Sequence, residues 1–252
     1  MKRILAANNC DVLAQFAWAQ ALIAFDFDGT LAPIVEDRDR AFMRPRTRML
    51  LERVVDLYPT AIISGRSCAD VVARLDGVPV KHIVGNHGLE PAGSMDAFER
   101  EVSAMVPVLH ALLDHEQGVD IENKRYSLAI HYRRARRKKD VRAVIFAAIA
   151  QLQTPPRVTL GKLVINVIPA NAPHKGDALV RLRDQERADV ALYVGDDVTD
   201  EDVFELDQPG RLLCIRVGNS RKSAAPWYLR DQQEMDLLLE KLVELRARGR
   251  TA

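Results

Sequence analysis

Cysteine is scarce in this chain. Its three residues, Cys10, Cys68 and Cys214, are odd in number and widely scattered, which excludes a disulfide framework and offers no metal-like pairing. They read as reduced, structural thiols, and a cytoplasmic location is expected. Net charge is almost absent, +1 over 252 residues, so nothing points to nucleic acid or to an acidic membrane surface as a partner. No apolar run reaches the roughly 18 residues of a membrane span. The apolar start after Met1-Lys2-Arg3 is interrupted by Asn8-Asn9, too early for a secretory core. The expectation is a chain neither secreted by that route nor membrane-spanning. Internal repeats and low-complexity segments are missing as well. What remains, 48% hydrophobic and 28% charged residues, is ordinary for a globular protein and sufficient for one large domain or two modest ones.

The stretch that organises the chain is Ala21-Leu22-Ile23-Ala24-Phe25-Asp26-Phe27-Asp28-Gly29-Thr30-Leu31-Ala32-Pro33. Its apolar start predicts a fully buried strand of a parallel sheet. Side chains alternate along a strand, so Asp26 and Asp28 are expected to point the same way at its carboxyl end. Ligands bind at that end of an open α/β sheet. Two carboxylates there repel one another and resist desolvation, so a cation is expected between them. A hard divalent metal with oxygen ligands, Mg²⁺, suits the site.

Taken in order, helices are expected over 10–20, 44–58 and 69–75, with strands at 61–63 and 81–84. Strand, loop and helix in this alternation predict a doubly wound parallel sheet. The pattern then changes. A long amphipathic segment over 96–115 contains Pro107, which is expected to kink or divide it. Alternating strands at 119–123 and 127–132, a basic run from Arg133 to Asp140, a helix over 141–152, and strands at 157–160 and 163–168 about a Gly161-Lys162 turn follow. This α+β unit, placed at 92–168, interrupts a core made of 1–91 and 169–252. Core grammar resumes with a helix over 175–182, strands at 190–194 and 212–217, and a closing helix over 235–246. The basic run reads as a solvated surface, with Arg133 kept as a candidate.

Four features are expected to converge on one crevice of the core: Asp26 with Asp28, Ser64, Lys175, and the acids from Asp196. Together they make a phosphoryl-transfer kit. Asp26 would be the nucleophile and Asp28 the general acid and then base. Ser64 and Lys175 would hold phosphoryl oxygens. Asp196 would complete the metal site, with Asp197 or Asp200 supporting it from behind.

Asp26-Phe27-Asp28-Gly29-Thr30, Ser64, Lys175 and Gly195-Asp196-Asp197 resemble, in order, the four motifs of the haloacid dehalogenase superfamily of phosphatases. The resemblance implies a Rossmann-like core with an inserted α+β cap of the αββ-repeat class, type C2B. It also implies Mg²⁺ held by Asp26, Asp28 (through its main-chain carbonyl) and Asp196. Within that superfamily the chain is similar to the trehalose-6-phosphate phosphatases. The segments that carry this are Ile63-Ser64-Gly65-Arg66, Gly85-Asn86-His87-Gly88, Glu122-Asn123-Lys124, His131-Tyr132-Arg133 and Gly195-Asp196-Asp197-Val198-Thr199-Asp200-Glu201. The resemblance implies hydrolysis of trehalose 6-phosphate, with a cap that closes over the sugar; a monomer is expected rather than an oligomer. Gly65, Arg66, Asn86, His87 and Gly88 would then line the substrate, as would Glu122, Lys124 and Arg133 from the cap. Glu122 and Lys124, two apart, are expected to share a strand face.

One departure bears on the sugar. Where the family carries an acidic and then a basic residue before a proline, this chain reads Asn166-Val167-Ile168-Pro169. Asn166 retains hydrogen-bonding capacity and Ile168 does not, which leaves another phosphorylated sugar, such as sucrose phosphate or a glycosylglycerate phosphate, as the rival substrate. A phosphomutase and a non-catalytic sugar-phosphate-binding protein are the further alternatives.

Overall fold

The chain opens with a two-residue strand, β1 (Lys2–Arg3), and a helix, α1 (Cys10–Trp18), before the apolar run forms β2 (Ala21–Phe25), buried along its whole length. The computed structural model describes residues 1–35, 37, 40–90, 96–161, 163–206 and 208–249. After β2 come α2 (Pro45–Val55), β3 (Thr60–Ile63), α3 (Cys68–Leu75) and β4 (His82–Val84). The next segment holds α4 (Asp96–Leu113), β5 (Asp120–Asn123), β6 (Leu128–His131), α5 (Lys138–Ile149), β7 (Arg157–Gly161) and β8 (Val164–Ile168). The chain ends with α6 (Lys175–Gln185), β9 (Val190–Gly195), α7 (Glu201–Phe204), β10 (Leu212–Val217), β11 (Trp227–Leu229) and α8 (Glu234–Gly249). Two units result: Met1–Pro91 with His174–Ala252, and Ala92–Pro173.

The larger unit is built on a seven-stranded sheet in the order β1-β11-β10-β9-β2-β3-β4, parallel at every pairing. The parallel α/β expectation holds. Alternation along the strands sorts side chains into two layers. Ala21, Ile23 and Phe25 pack with Leu13 and Phe16 of α1, Leu50 of α2 and Leu239 of α8. Leu22 and Ala24 pack with Leu179 of α6 and Val203 of α7. The strand order reverses between β2 and β9, the point where open α/β sheets form their ligand crevice. Asp26 and Asp196 follow directly on those two strands.

The smaller unit is an antiparallel sheet, β5-β6-β8-β7, with α4 and α5 on one face. Ile121, Leu128, Ile130, Ile165 and Val167 point into that packing, together with Leu109 and Ile145. Cross-strand register puts Glu122, Ala129, Asn166 and Thr159 in one row, which alternation assigns to the other face.

Several local expectations are corrected. β2 stops at Phe25 rather than at Asp28, because Gly29, at φ +81°, turns the chain. α4 is one helix through Pro107. α5 begins inside the basic run, whose residues from Arg136 to Asp140 are all exposed. Lys162, of the expected Gly161-Lys162 turn, lies outside the described residues. No helix among the described residues is long and apolar enough to cross a membrane.

Candidate active site

Asp26 extends the ladder of the two central strands, its N–H donating to Val194 O at 2.9 Å. By parity its side chain continues the row of Leu22 and Ala24, toward α6. There Lys175, 1% exposed, donates from Nζ to Asp26 Oδ1 at 2.8 Å and to Asp200 Oδ1 at 2.7 Å. Lys175 is the first residue of α6, and a reciprocal cap fixes its placement. His174 Nδ1 accepts the N–H groups of Gly176 and Asp177, while Asp177 Oδ2 accepts the N–H of His174.

Asp200 is the hub of the site. Its Oδ1 accepts from Lys175 and from the Tyr193 hydroxyl at 2.6 Å, and its Oδ2 accepts the N–H groups of Asp196 and Asp197 at 2.8 and 2.9 Å. Four donors fill its lone pairs. Asp26, Asp196 and Asp200 each place one carboxylate oxygen within 4.8 Å of the other two. Asp196 Oδ1 is buried with no hydrogen-bond partner among the described residues.

Three carboxylates against one ammonium leave a charge deficit that burial makes expensive. Burial pushes the Asp26 carboxyl up to about 7; Lys175 opposes this and Asp200 adds to it. Burial, then Asp26 and Asp200, pushes Asp196 up to about 9. A divalent cation would supply the missing charge, and the unpartnered Asp196 Oδ1 would offer it an oxygen ligand. Asp26 and Asp196 would hold it, while Asp200, already saturated, orients Lys175 and the 195–197 turn. Gly29 completes the fit, since a Cβ there would lie 2.1 Å from Asp196 Oδ2.

The Asp28 carboxylate lies outside this cluster. The first motif's two carboxylates, expected to face one cation, have separate protein partners, and the strand ends before Asp28. Arg66 Nε and Nη2 fork onto Asp28 Oδ2 and Oδ1 at 2.6 and 2.7 Å. An Asp28 share in a metal site would fall to its main-chain oxygen. Arg66, expected to line the substrate, is 2% exposed, and its guanidinium pairs with Asp28 and Asp70.

Ser64 stands at the carboxyl end of β3, fully buried, its Oγ accepting the Arg66 N–H at 3.2 Å. The 85–88 loop packs beside it. His87 N–H donates to Ser64 O, Asn86 N–H donates to Arg66 O, and the His87 ring covers Gly65, where a Cβ would lie 2.5 Å from Cε1. Gly88, at φ +114°, passes against His174 O. The loop therefore ties the Ser64 segment to the residue before Lys175. In the smaller unit Glu122 Oε2 meets His131 Nε2 at 2.9 Å. Lys124 is beyond the end of β5, in the turn where its N–H donates to Ser127 O, so strand alternation no longer assigns it to the face of Glu122. Arg133 is exposed after β6.

Sequence reasoning missed Tyr193 and did not distinguish Asp200 from Asp197. A tyrosine inside an otherwise aliphatic buried strand signals that its hydroxyl has a polar partner.

The trehalose-phosphatase family model matches residues 24–233. The trehalose-phosphate phosphatase of Mycobacterium tuberculosis strain H37Rv is 34% identical over 219 residues, covering 79% of this chain and 56% of the relative. The chain thus spans little more than half the length of that protein. Trehalose-phosphate phosphatase B of Arabidopsis thaliana is 30% identical over 265 residues, covering 95% of this chain and 71% of the relative. Among solved structures, the C-terminal domain of the Candida albicans trehalose-6-phosphate phosphatase superposes with a TM-score of 0.77. At 24% identity it covers 94% of this chain and 98% of that one, a likeness of fold.

Proposed function

The chain belongs to the trehalose-phosphatase family, and from that premise we propose that it hydrolyses trehalose 6-phosphate to trehalose and inorganic phosphate. The observation that carries the chemistry is the Lys175 ammonium joined to Asp26, with the Asp196 carboxylate beside them and one of its oxygens unpartnered. Asp26 Oδ2 attacks phosphorus, and Asp28 gives its proton to the departing sugar oxygen. Asp28, now a carboxylate, takes a proton from the water that attacks the aspartyl-phosphate; phosphate leaves and Asp26 is regenerated. Lys175 orients Asp26 and offsets phosphoryl charge, and Ser64 is assigned a phosphoryl oxygen. A bound divalent cation, which we take to be Mg²⁺, would lower the repulsion between Asp26 and the phosphoryl group. The three unpaired thiols suit a reducing compartment, and we place the enzyme in the cytoplasm. Because a single chain supplies Asp26, Asp28, Lys175 and Asp196, we take the working unit to be a monomer.

We assign sugar recognition to Glu122, Lys124 and Arg133, with Asn86, His87 and Gly88 from the core. Gly65 is kept as a close-approach position beside His87. Polar groups of this kind discriminate because a substrate lacking the matching hydroxyl leaves them unpaired. A second reading, another phosphorylated sugar, is favoured by Asn166 and Ile168. The test is phosphate release from trehalose 6-phosphate, sucrose 6-phosphate and glucose 6-phosphate, with Mg²⁺ and with EDTA. Metal-dependent turnover highest on trehalose 6-phosphate is expected. Preference for another sugar moves the assignment to the second reading, and no turnover on any of them ends the enzyme reading.

A further inference from the structure

Asp28 is 40% exposed at its side chain, whereas the guanidinium that holds it is 2% exposed. Arg66 comes from the loop after β3 and is fixed from several directions. Nε and Nη2 take both Asp28 oxygens, Nη1 donates to Asp70 Oδ2 at 2.7 Å, and the Phe27 ring lies 5.9 Å from the guanidinium carbon. Asp70 is itself braced, its N–H on Ser67 Oγ and its other oxygen 2.9 Å from Arg74 Nη2. A planar fork of this kind fixes direction as well as charge, and a lysine cannot reproduce it. The anchored partner is buried and the acid it grips is open to solvent, as a group that hands a proton to an incoming ester must be.

We infer that Arg66, through the chain Arg74–Asp70–Arg66, is the positioning residue that aims the Asp28 carboxyl group at the leaving oxygen. This rests on the phosphatase reading above, and it withdraws Arg66 from the substrate-lining set. In the first step the Asp28 proton passes to the ester oxygen as the P–O bond breaks and the Asp26 O–P bond forms. The need for that proton depends on the leaving group. A sugar alkoxide departs poorly without it, and 2,4-dinitrophenolate departs readily. Misaiming Asp28 therefore damages one substrate and spares the other, whereas loss of a phosphate contact or of fold damages both.

The measurement is kcat/KM, which reports transfer to Asp26 alone, for trehalose 6-phosphate and for 2,4-dinitrophenyl phosphate. Arg66→Met is expected to lower the first by about 100-fold or more and the second by less than about 5-fold. Arg66→Lys keeps a cation beside Asp70, guards against a folding failure, and is expected to show the same selectivity at smaller amplitude. In an Asp28→Asn background, Arg66→Met should add no further loss on the sugar ester, because the group it aims is already gone. Equal losses on the two esters, or additive losses in the double variant, would overturn the inference. A wild-type protein inactive on both esters defeats the phosphatase reading instead, before any variant is compared.

Discussion

Replacing Lys175 by methionine removes one ammonium from between two buried carboxylates and keeps the side-chain volume. Lys175 is 1% exposed and makes ion pairs of 2.8 and 2.7 Å with Asp26 and Asp200. Removing one partner of a buried pair costs about 3–5 kcal/mol, because the charge left behind has neither water nor a counterion. For a protein of this size each kcal/mol moves the melting temperature by about 2–4 °C. The drop in EDTA should therefore be roughly 6–20 °C, read by differential scanning calorimetry with the circular dichroism spectrum at low temperature unchanged. Two controls make the reasoning strict. Lys175→Met/Asp200→Asn, which removes charge from both sides of the pair, should recover much of the loss. Millimolar Mg²⁺ should raise the melting temperature of the single variant more than that of the wild type, because the acid cluster has lost its own cation. A single variant that loses less than about 1 kcal/mol in EDTA, with no recovery in the double variant, would refute the account of Lys175 as the cluster's counterion.

Asp26→Asn should abolish turnover while the metal-free protein becomes more stable, since it deletes a carboxylate that burial disfavours; retained hydrolysis would remove the covalent step. Gly29→Ala must hold a left-handed backbone at about 1–2 kcal/mol and presses its Cβ on Asp196. A Mg²⁺ titration should show affinity weakened at least about tenfold, and unchanged affinity would separate Gly29 from the metal site. Glu234 tests the pH dependence. Burial raises its carboxyl, but Arg3 and Arg230 outweigh that and hold it at about 2, against an ordinary 4.5. Its stabilisation is complete above pH 4.5 and disappears as pH falls toward 2. Glu234→Gln should cost about 2 kcal/mol at pH 6, allowing for the exposed Arg230 partner, and almost nothing at pH 2 by urea unfolding. Glu122→Ala should lower kcat/KM for trehalose 6-phosphate at least about tenfold and leave an aryl phosphate within about twofold; equal effects would take Glu122 out of sugar recognition.

Much of the fold was legible because parallel strands buried on both faces leave aliphatic runs. Ala21–Phe25, Thr60–Ile63, Val190–Gly195 and Leu212–Val217 all read that way. β1 and β11 left no such trace: Lys2–Arg3 and Trp227–Leu229 are too short for a period to register. Parity then led two residues astray. Asp28 and Lys124 were placed by extending an alternation beyond the last residue of a strand, where dihedral angles no longer enforce it. The acid cluster was legible as chemistry because residues at adjacent strand ends in the crevice must meet. The partner of each acid was not, since spacing along the chain does not show that Lys175 takes Asp26 while Arg66 takes Asp28. Asp200 and Asp197 look alike in sequence, and only the turn after β9 decides which of them accepts four donors.

Ala21 is paired in register with Val190, so the central seam of the larger sheet joins the two ends of a very long loop. During synthesis the first half of that sheet must wait, with one flank of β2 unpaired, until β9 has been made. The β5–β6 and β7–β8 pairings are local and can zip up meanwhile, shortening the span of loose chain whose closure costs entropy. The inserted segment would on this account act as a folding clasp, and loosening its hairpins should slow assembly of a crevice to which it contributes no strand.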